Sequence, residues 1–469
     1  MSTAGATFTA PVRALWAEDA LLPQGWAREV LLRWDAHGCF RQVESGVPPP
    51  PNVARAAGPV LPGLPNLHSH AFQRAFAGLT EWRGPGPDSF WSWRERMYGF
   101  ANRITPEMLE AIAVWVYLEM LEAGYTSVCE FHYLHHDAGG RPYADDATLS
   151  LALLRAARRT GIGMTLLPVL YQTGGFGAPP TAEQARFVHG TETLLALLQR
   201  LAPVVRAQGA ALGVAPHSLR AVPPESLKSV VAGMHALLPK APVHIHIAEQ
   251  RQEVRDCLAW SGQPPVQWLL DHAPVDARWC LVHATHMTAR ECKAAARRGA
   301  VAGLCPSTEA NLGDGVFDLP RWLRHGGRWG VGSDSQVCVN AAEELMLLEY
   351  SQRLQRRERN VLAHAAHPQV ATAMLLQAVA GGAQAAGRAI GGLQAGQQAD
   401  LVVLDADHIA LSGLPFETAL AGHVFASSRS SALQQVWVAG QQRLRAPHDP
   451  LRMQARSDFI AARRQLLEG

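Results

Sequence analysis

The sequence predicts a (β/α)8 barrel joined to a small β-sandwich-like domain built from both chain termini, and three observations lead there. At 469 residues the chain is too long for one small core. Between about residues 59 and 385, eight short runs rich in branched apolar residues alternate with helical segments, the mark of β/α repetition around a parallel sheet. Before and after that stretch the texture is of strands alone, so the two ends are expected to pair with one another.

Residues 1–58 contain the strand-like runs "FTAPVRALW" and "REVLLRWDAHGCFRQV", closed by the breaker "GVPPPPNVARAAGP". The eight barrel strands are expected near 59–67, 126–134, 164–172, 211–219, 242–249, 280–286, 300–306 and 328–334. The helices between them have legible ends. Thr105 is an N-cap followed by Pro106, apolar residues recur at Leu109, Ile112, Ala113, Val116 and Met120, and Gly124 stops the helix. Thr288 and Glu291 form a capping box. After about residue 385, "GGLQAGQQADLVVLDAD" and "LQQVWVAGQQRLR" read as strands again. The expected division is therefore a TIM-like barrel over 59–385, with 1–58 and 386–469 forming the small β-domain.

Composition excludes several classes. With 42 basic and 40 acidic residues the formal net charge is +2, which offers no footprint for nucleic acid or an anionic membrane. The seven cysteines are scattered singly with no C-x-x-C pair, which fits a reducing compartment and argues against a disulfide framework or a cysteine zinc site. The first residues lack a basic-then-apolar secretory pattern, and no run of about 18 apolar residues follows. A cytoplasmic protein is expected.

The chemistry collects at the strand ends, where a barrel of this kind carries its active site. In "LPGLPNLHSH", His68 and His70 are two apart and share one face of a strand. The fifth strand, "VHIHIAEQ", places His244 and His246 on one face, with Glu249 following. The sixth, "CLVHATH", offers His283 and His286, and the eighth, "WGVGSDSQ", ends in Asp334. Three imidazoles and a carboxylate converging from strands one, five and eight suit Zn2+, with Fe2+ or Mn2+ as weaker fits. A two-metal site bridged by a carboxylated lysine would need a lysine on strand four; "GVAPHSLR" has none, so one metal per subunit is expected. The H-x-E and P-C-x-x-C motifs of another zinc-deaminase class are missing from the sequence.

In these features the chain resembles the amidohydrolase superfamily: "PGLPNLHSH", the strand-five histidine followed by Glu in "HIAE", the strand-six histidine, the strand-eight Asp and the closing "GLQAGQQADLVVLD". Within it, "HSHAFQRAFAG", "FWSWRERMY", "CEFHYLHH", "APHSLRAV", "CPSTEANLGDG" and "GSDSQ" look most like the formimidoylglutamate deiminases. Those enzymes convert N-formimino-L-glutamate to N-formyl-L-glutamate and ammonia in histidine degradation. Relatives that deaminate guanine or cytosine usually carry an Asn-containing stretch after the strand-seven "CP", where this chain has "STEANLGDG". The alternative expectation is such a nucleobase deaminase.

The resemblance implies His68, His70, His246 and Asp334 as metal ligands and Glu249, His283 and Asp334 as catalytic groups, leaving His244 and His286 outside the ligand set. It also implies a homodimer. A dicarboxylate substrate calls for guanidinium groups, which bind carboxylates through paired planar hydrogen bonds. The family match selects Arg94 in "FWSWRERMY" and Arg220 in "APHSLRAV", with Arg74 and Arg96 as nearby alternatives. Gln73, Tyr133 and His217 are expected to hydrogen-bond the substrate from the ends of strands one, two and four.

Overall fold

The computed structural model describes residues 13–86, 88–427, 431–444 and 446–468. The chain opens with β1 (Ala14–Leu22), β2 (Gly25–Trp34) and β3 (Phe40–Glu44), an antiparallel meander, then the short β4 (Ala54–Arg55) and β5 (Val60–Pro62). The beginning of the expected strand "FTAPVRALW", residues 8–12, lies outside the described residues.

The barrel follows: β6 (Leu64–Ser69), β7 (Tyr125–His132), β8 (Gly163–Leu170), β9 (Ala211–Leu212), β10 (Ala215–Pro216), β11 (Val243–Ile247), β12 (Trp279–His283), β13 (Val301–Leu304) and β14 (Arg328–Val331). All neighbours pair in parallel, in two arcs, β6 to β10 and β11 to β14. Parallel bridges Val214–Val243 and Ser218–His246 join the arcs on one side and Ser69–Asp334 on the other. The barrel is thereby closed, and two of the bridges fall on or beside proposed site residues. Each expected strand is present within a few residues. The fourth is broken into β9 and β10 around Gly213, where a Cβ would sit 2.5 Å from the Pro242 carbonyl oxygen. Only glycine allows that approach.

The helix ends match their capping signals. Thr105 accepts from the Met108 amide at the start of the helix Pro106–Glu122, and Thr288 and Glu291 form the capping box. The helix Val370–Ala386 runs beneath the barrel, so close that a Cβ on Gly381 would lie 1.9 Å from the Trp329 carbonyl oxygen.

Beyond it lie β15 (Leu401–Leu404), β16 (Leu433–Val438) and β17 (Gln441–Gln442). β15 pairs antiparallel with β5, which joins both ends of the chain in one sheet of order β17-β16-β15-β5-β1-β2-β3. Strand alternation then divides its residues. Leu401 and Val403 pack with Leu15, Val30, Leu32 and Phe40 in a small separate core, while Val402 and Leu404 join the main core. Among the described residues the terminal strands form this single mixed sheet.

Two helices in the C-terminal stretch were not expected, Phe416–Ala426 and Pro450–Glu468. The latter returns to the barrel, stacking Phe459 on Trp115 with ring centroids 6.0 Å apart and pairing Arg452 with Glu122. No helix among the described residues is long and apolar enough to cross a membrane.

Candidate metal centre and substrate pocket

Four buried side chains converge at the C-terminal end of the barrel: His68 on β6, His70 just after it, His246 on β11 and Asp334 after β14. His68 Nε2 lies 3.2 Å from His70 Nε2, 3.0 Å from His246 Nε2 and 3.4 Å from Asp334 Oδ1. His70 Nε2 is 3.3 Å from the same carboxylate oxygen.

The proton positions show what this cluster requires. His70 donates through Nδ1 to the Phe131 carbonyl at 2.9 Å, and His246 through Nδ1 to the His217 carbonyl at 3.1 Å. Their Nε2 atoms therefore face each other and His68 with lone pairs. Burial lowers the pKa of all three rings, His68 to about 3, so added protons do not relieve the clash. One proton on His68 can satisfy one neighbour only; a cation at the common centre satisfies all four. Donor separations of 3.0–3.4 Å correspond to angles of roughly 90–110° for bonds of about 2.1 Å, the geometry of a nitrogen and oxygen metal site.

Around the cluster, the chain's own network fixes its parts. Buried Glu130 accepts from Ser69 Oγ and from the Ala71 amide, both at 2.7 Å, and so shapes the turn that carries His70. Asn66, Ser333 and Gln336 tie β6 to the loop of Asp334: Asn66 Nδ2 donates to Ser333 Oγ at 2.6 Å, and Gln336 Nε2 to Ser69 Oγ at 2.9 Å. Asp334 (φ 45°), His283 (φ 64°) and Ala248 (φ 50°) adopt left-handed backbone conformations, the strained geometry that clusters at functional sites. Despite burial, Asp334 is held below the usual carboxylate range by its contact with His68 and by His283 and His70.

His283 Nε2 stands 3.7 Å from Glu249 Oε1 and 3.7 Å from Asp334 Oδ2. Burial would lower its pKa, but Glu249, Glu309 and Asp334 together push it up to about 10. Burial pushes Glu249 up to about 7 against the opposing pull of His283 and Arg220. Its loop is held by Glu253, which accepts from the amides of Ala248 and Glu249, each at 3.1 Å.

A cavity opens beside the cluster, lined by Gln73, Arg94, Tyr133, His217, Arg220 and Glu249 among others. Its two guanidinium groups are short of partners. Arg94 lies over Trp91 at 4.5 Å and Arg220 over Phe90 at 5.5 Å, the Nε of each is buried without a hydrogen bond, and the carboxylate beside Arg220 is that of Glu249 at 3.9 Å. Gln73 donates to Tyr133 Oη at 2.9 Å while its Oε1 is left without a partner.

The amidohydrolase family model matches residues 60–443. The chain belongs to the amidohydrolase family. It is 52% identical over 432 residues, 91% of this chain and 94% of the relative, to formimidoylglutamate deiminase of Pseudomonas aeruginosa, and 29% identical over 76% of both chains to 8-oxoguanine deaminase of the same organism. A crystal structure of an amidohydrolase from Brucella melitensis superposes with a TM-score of 0.91 at 47% identity, covering 97% of this chain and 100% of that one. An adenosine deaminase from Xanthomonas campestris with bound zinc shares the fold, with a TM-score of 0.77 at 21% identity over 96% of this chain and 98% of that one.

In this amidohydrolase the residues singled out in the sequence divide into two groups. His68, His70, His246, Asp334, Glu249 and His283 meet at one centre, and Gln73, Arg94, Tyr133, His217 and Arg220 line the adjoining cavity. The others lie elsewhere. His244 points to a deeper layer of the barrel and donates to the Ala385 carbonyl at 2.8 Å, as the two-residue period along β11 requires. His286 does not line the cavity. Arg74 is engaged with Glu119 at 2.7 Å, and Arg96 holds the Thr80 and Trp82 carbonyls.

Sequence reasoning missed Glu130, Glu253 and Glu309, whose partners are far along the chain or on backbone amides. It also missed Gln184. That side chain accepts from the Thr181 amide and donates to Tyr98 Oη at 3.0 Å and Tyr171 Oη at 2.8 Å, holding two cavity tyrosines. Its capping motif, Thr181 with Gln184 three residues on, was the available signal.

Proposed function

We propose that this amidohydrolase is a formimidoylglutamate deiminase, hydrolysing N-formimino-L-glutamate to N-formyl-L-glutamate and ammonia as a step of histidine degradation. The observation that carries this reading is the pair of incompletely bonded guanidinium groups, Arg94 and Arg220, in the cavity beside the four-ligand cluster. A dicarboxylate satisfies both; a flat, uncharged nucleobase leaves them desolvated and unpaired. The 52% identity to a formimidoylglutamate deiminase supports the same substrate.

His68, His70, His246 and Asp334 would hold one divalent ion per subunit; the nitrogen-rich donor set favours Zn2+ over Fe2+ or Mn2+. Bound there, the ion supplies Lewis acidity and lowers the pKa of water toward about 7. Water adds to the C=N carbon, the bond to the terminal nitrogen breaks, and that nitrogen leaves as ammonia. Asp334 accepts the proton of the attacking water through the carboxylate edge that faces His283. His283 donates a hydrogen bond to the oxygen that develops at the tetrahedral carbon. Glu249, with a pKa near 7, is poised to gain and lose a proton at neutral pH and delivers it to the departing nitrogen. Arg94, Arg220, Gln73, Tyr133 and His217 orient the glutamate moiety, so that the formimino carbon is presented to these groups.

Several broader expectations belong to the same reading: a homodimer, a cytoplasmic setting, and a small domain formed by 1–58 and 386–469. The test is ammonia release from N-formimino-L-glutamate before and after chelation, with zinc then added back. Release that is abolished by chelation and restored by zinc is expected. A folded, zinc-loaded sample that releases none would transfer the function to another substrate, and nucleobases would be screened next.

A further inference from the structure

His283 has two faces, and only one of them meets the cavity. Its Nε2 looks toward Glu249 and Asp334, whereas Nδ1 is directed away, 3.3 Å from Glu309 Oε1. The same Glu309 oxygen accepts the Cys305 amide at 2.9 Å, so the carboxylate is fixed to the backbone just past β13. Glu309 is buried and does not line the cavity. Its side-chain contact toward the cavity is with His283.

A carboxylate has no proton to give and can only accept, so the bond to Glu309 places a proton on His283 Nδ1. His283 also sits at φ 64° at the end of β12, a strained backbone position of the kind that the surrounding structure must hold in place. An anchor on the far side of the ring supplies that hold. We propose that Glu309 is a positioning residue for the hydrolysis: by accepting the Nδ1 proton it fixes the ring orientation of His283, so that Nε2 is presented to the reacting atoms between Glu249 and Asp334.

This deepens the deiminase reading and rests on His283 taking part in it, so the experiment has an arm independent of turnover. In 15N-histidine-labelled protein, the His283 ring signals are assigned by their loss in His283→Asn. The wild type is expected to show a protonated, hydrogen-bonded Nδ1, and Glu309→Leu to lose that signature. Glu309→Gln and Glu309→Asp guard against a leucine variant that does not fold. In turnover, Glu309→Gln should lower kcat by about 10–100-fold, the scale seen when the partner orienting an active-site histidine is removed, while KM stays within about twofold and metal content is unchanged. Glu309→Asp should recover part of the rate. Because the residue acts through His283, the double variant His283→Asn with Glu309→Gln should be no slower than His283→Asn alone.

Multiplicative losses in the double variant, or an Nδ1 signature untouched by Glu309→Leu, would overturn the proposal. If the wild type releases no ammonia from the substrate, the deiminase reading fails, while the ring signals still decide whether Glu309 holds His283.

Discussion

Replacing Arg220 with methionine tests the substrate reading most directly, because an unbranched apolar stem is kept and the charged guanidinium is lost. Arg220 is 8% exposed, its Nε makes no hydrogen bond, and its closest carboxylate, on Glu249, stands 3.9 Å away. Glu253 and Glu249 pull on this guanidinium from a distance, but the hydrogen-bonding capacity of its Nε is unspent, which a substrate carboxylate would satisfy. Removing one member of a buried, hydrogen-bonded charge pair costs about 2–5 kcal/mol, or roughly 30-fold to several-thousand-fold in kcat/KM at about 1.4 kcal/mol per tenfold. Arg94, whose guanidinium shares the Trp91 ring with Arg220, remains to bind the substrate, so a loss of about 100-fold is expected, carried mainly by KM. Arg220 also lowers the pKa of Glu249. Without it the carboxyl is held more firmly in its neutral form, and the limb of the pH–rate profile belonging to Glu249 should move to higher pH. The assay is steady-state ammonia release across pH, with metal content and Tm as controls. An unchanged KM for N-formimino-L-glutamate in a folded, metal-replete variant would refute the clamp.

Replacing Arg94 with lysine should also raise KM sharply, because an ammonium cannot reproduce the planar fork that stacks over Trp91; competitive inhibition by glutamate should weaken in parallel. For Glu249→Gln, kcat is expected to fall by about 10²–10⁴-fold, the usual contribution of a proton-transfer group, with zinc content unaltered by elemental analysis. His246→Ala should abolish stoichiometric metal. Chelation of the wild type should lower Tm, since an ion present at about 1,000 times its Kd stabilises the fold by about 4 kcal/mol; a Tm indifferent to chelation would remove the metal from the folding equilibrium. Gly381→Ala forces a methyl group against the Trp329 carbonyl and should destabilise by at least about 1–3 kcal/mol in chemical denaturation.

Much of the site was legible because a barrel turns local sequence into shared position. His68, His70, His246, His283 and Asp334 each stand near the end of a strand that its own apolar residues announce, and parallel strands bring those ends to one rim. The same two-residue period made His244 and His246 look equivalent. Which of the two reaches the metal centre depends on depth along β11, and that is set by the register with β12 and the helix beneath. The helix Pro450–Glu468 escaped notice because its partner is Pro106–Glu122, more than 300 residues earlier.

From the sequence alone came the alternation of strands and helices and the convergence of histidines and Asp334 at the strand ends, while the family resemblance singled out the ligand set and the two arginines. The first two follow from short-range periodicity and from what each side chain can donate or accept. Tertiary structure alone decided that β5 and β15 are the strands that join the two chain ends in a single mixed sheet, that His70 and His246 carry their protons on Nδ1, and that Glu309 and Glu253 anchor His283 and Glu249 from behind. Each of these is a hydrogen bond or strand pairing whose strength depends on exclusion of water and on partners that folding alone brings together.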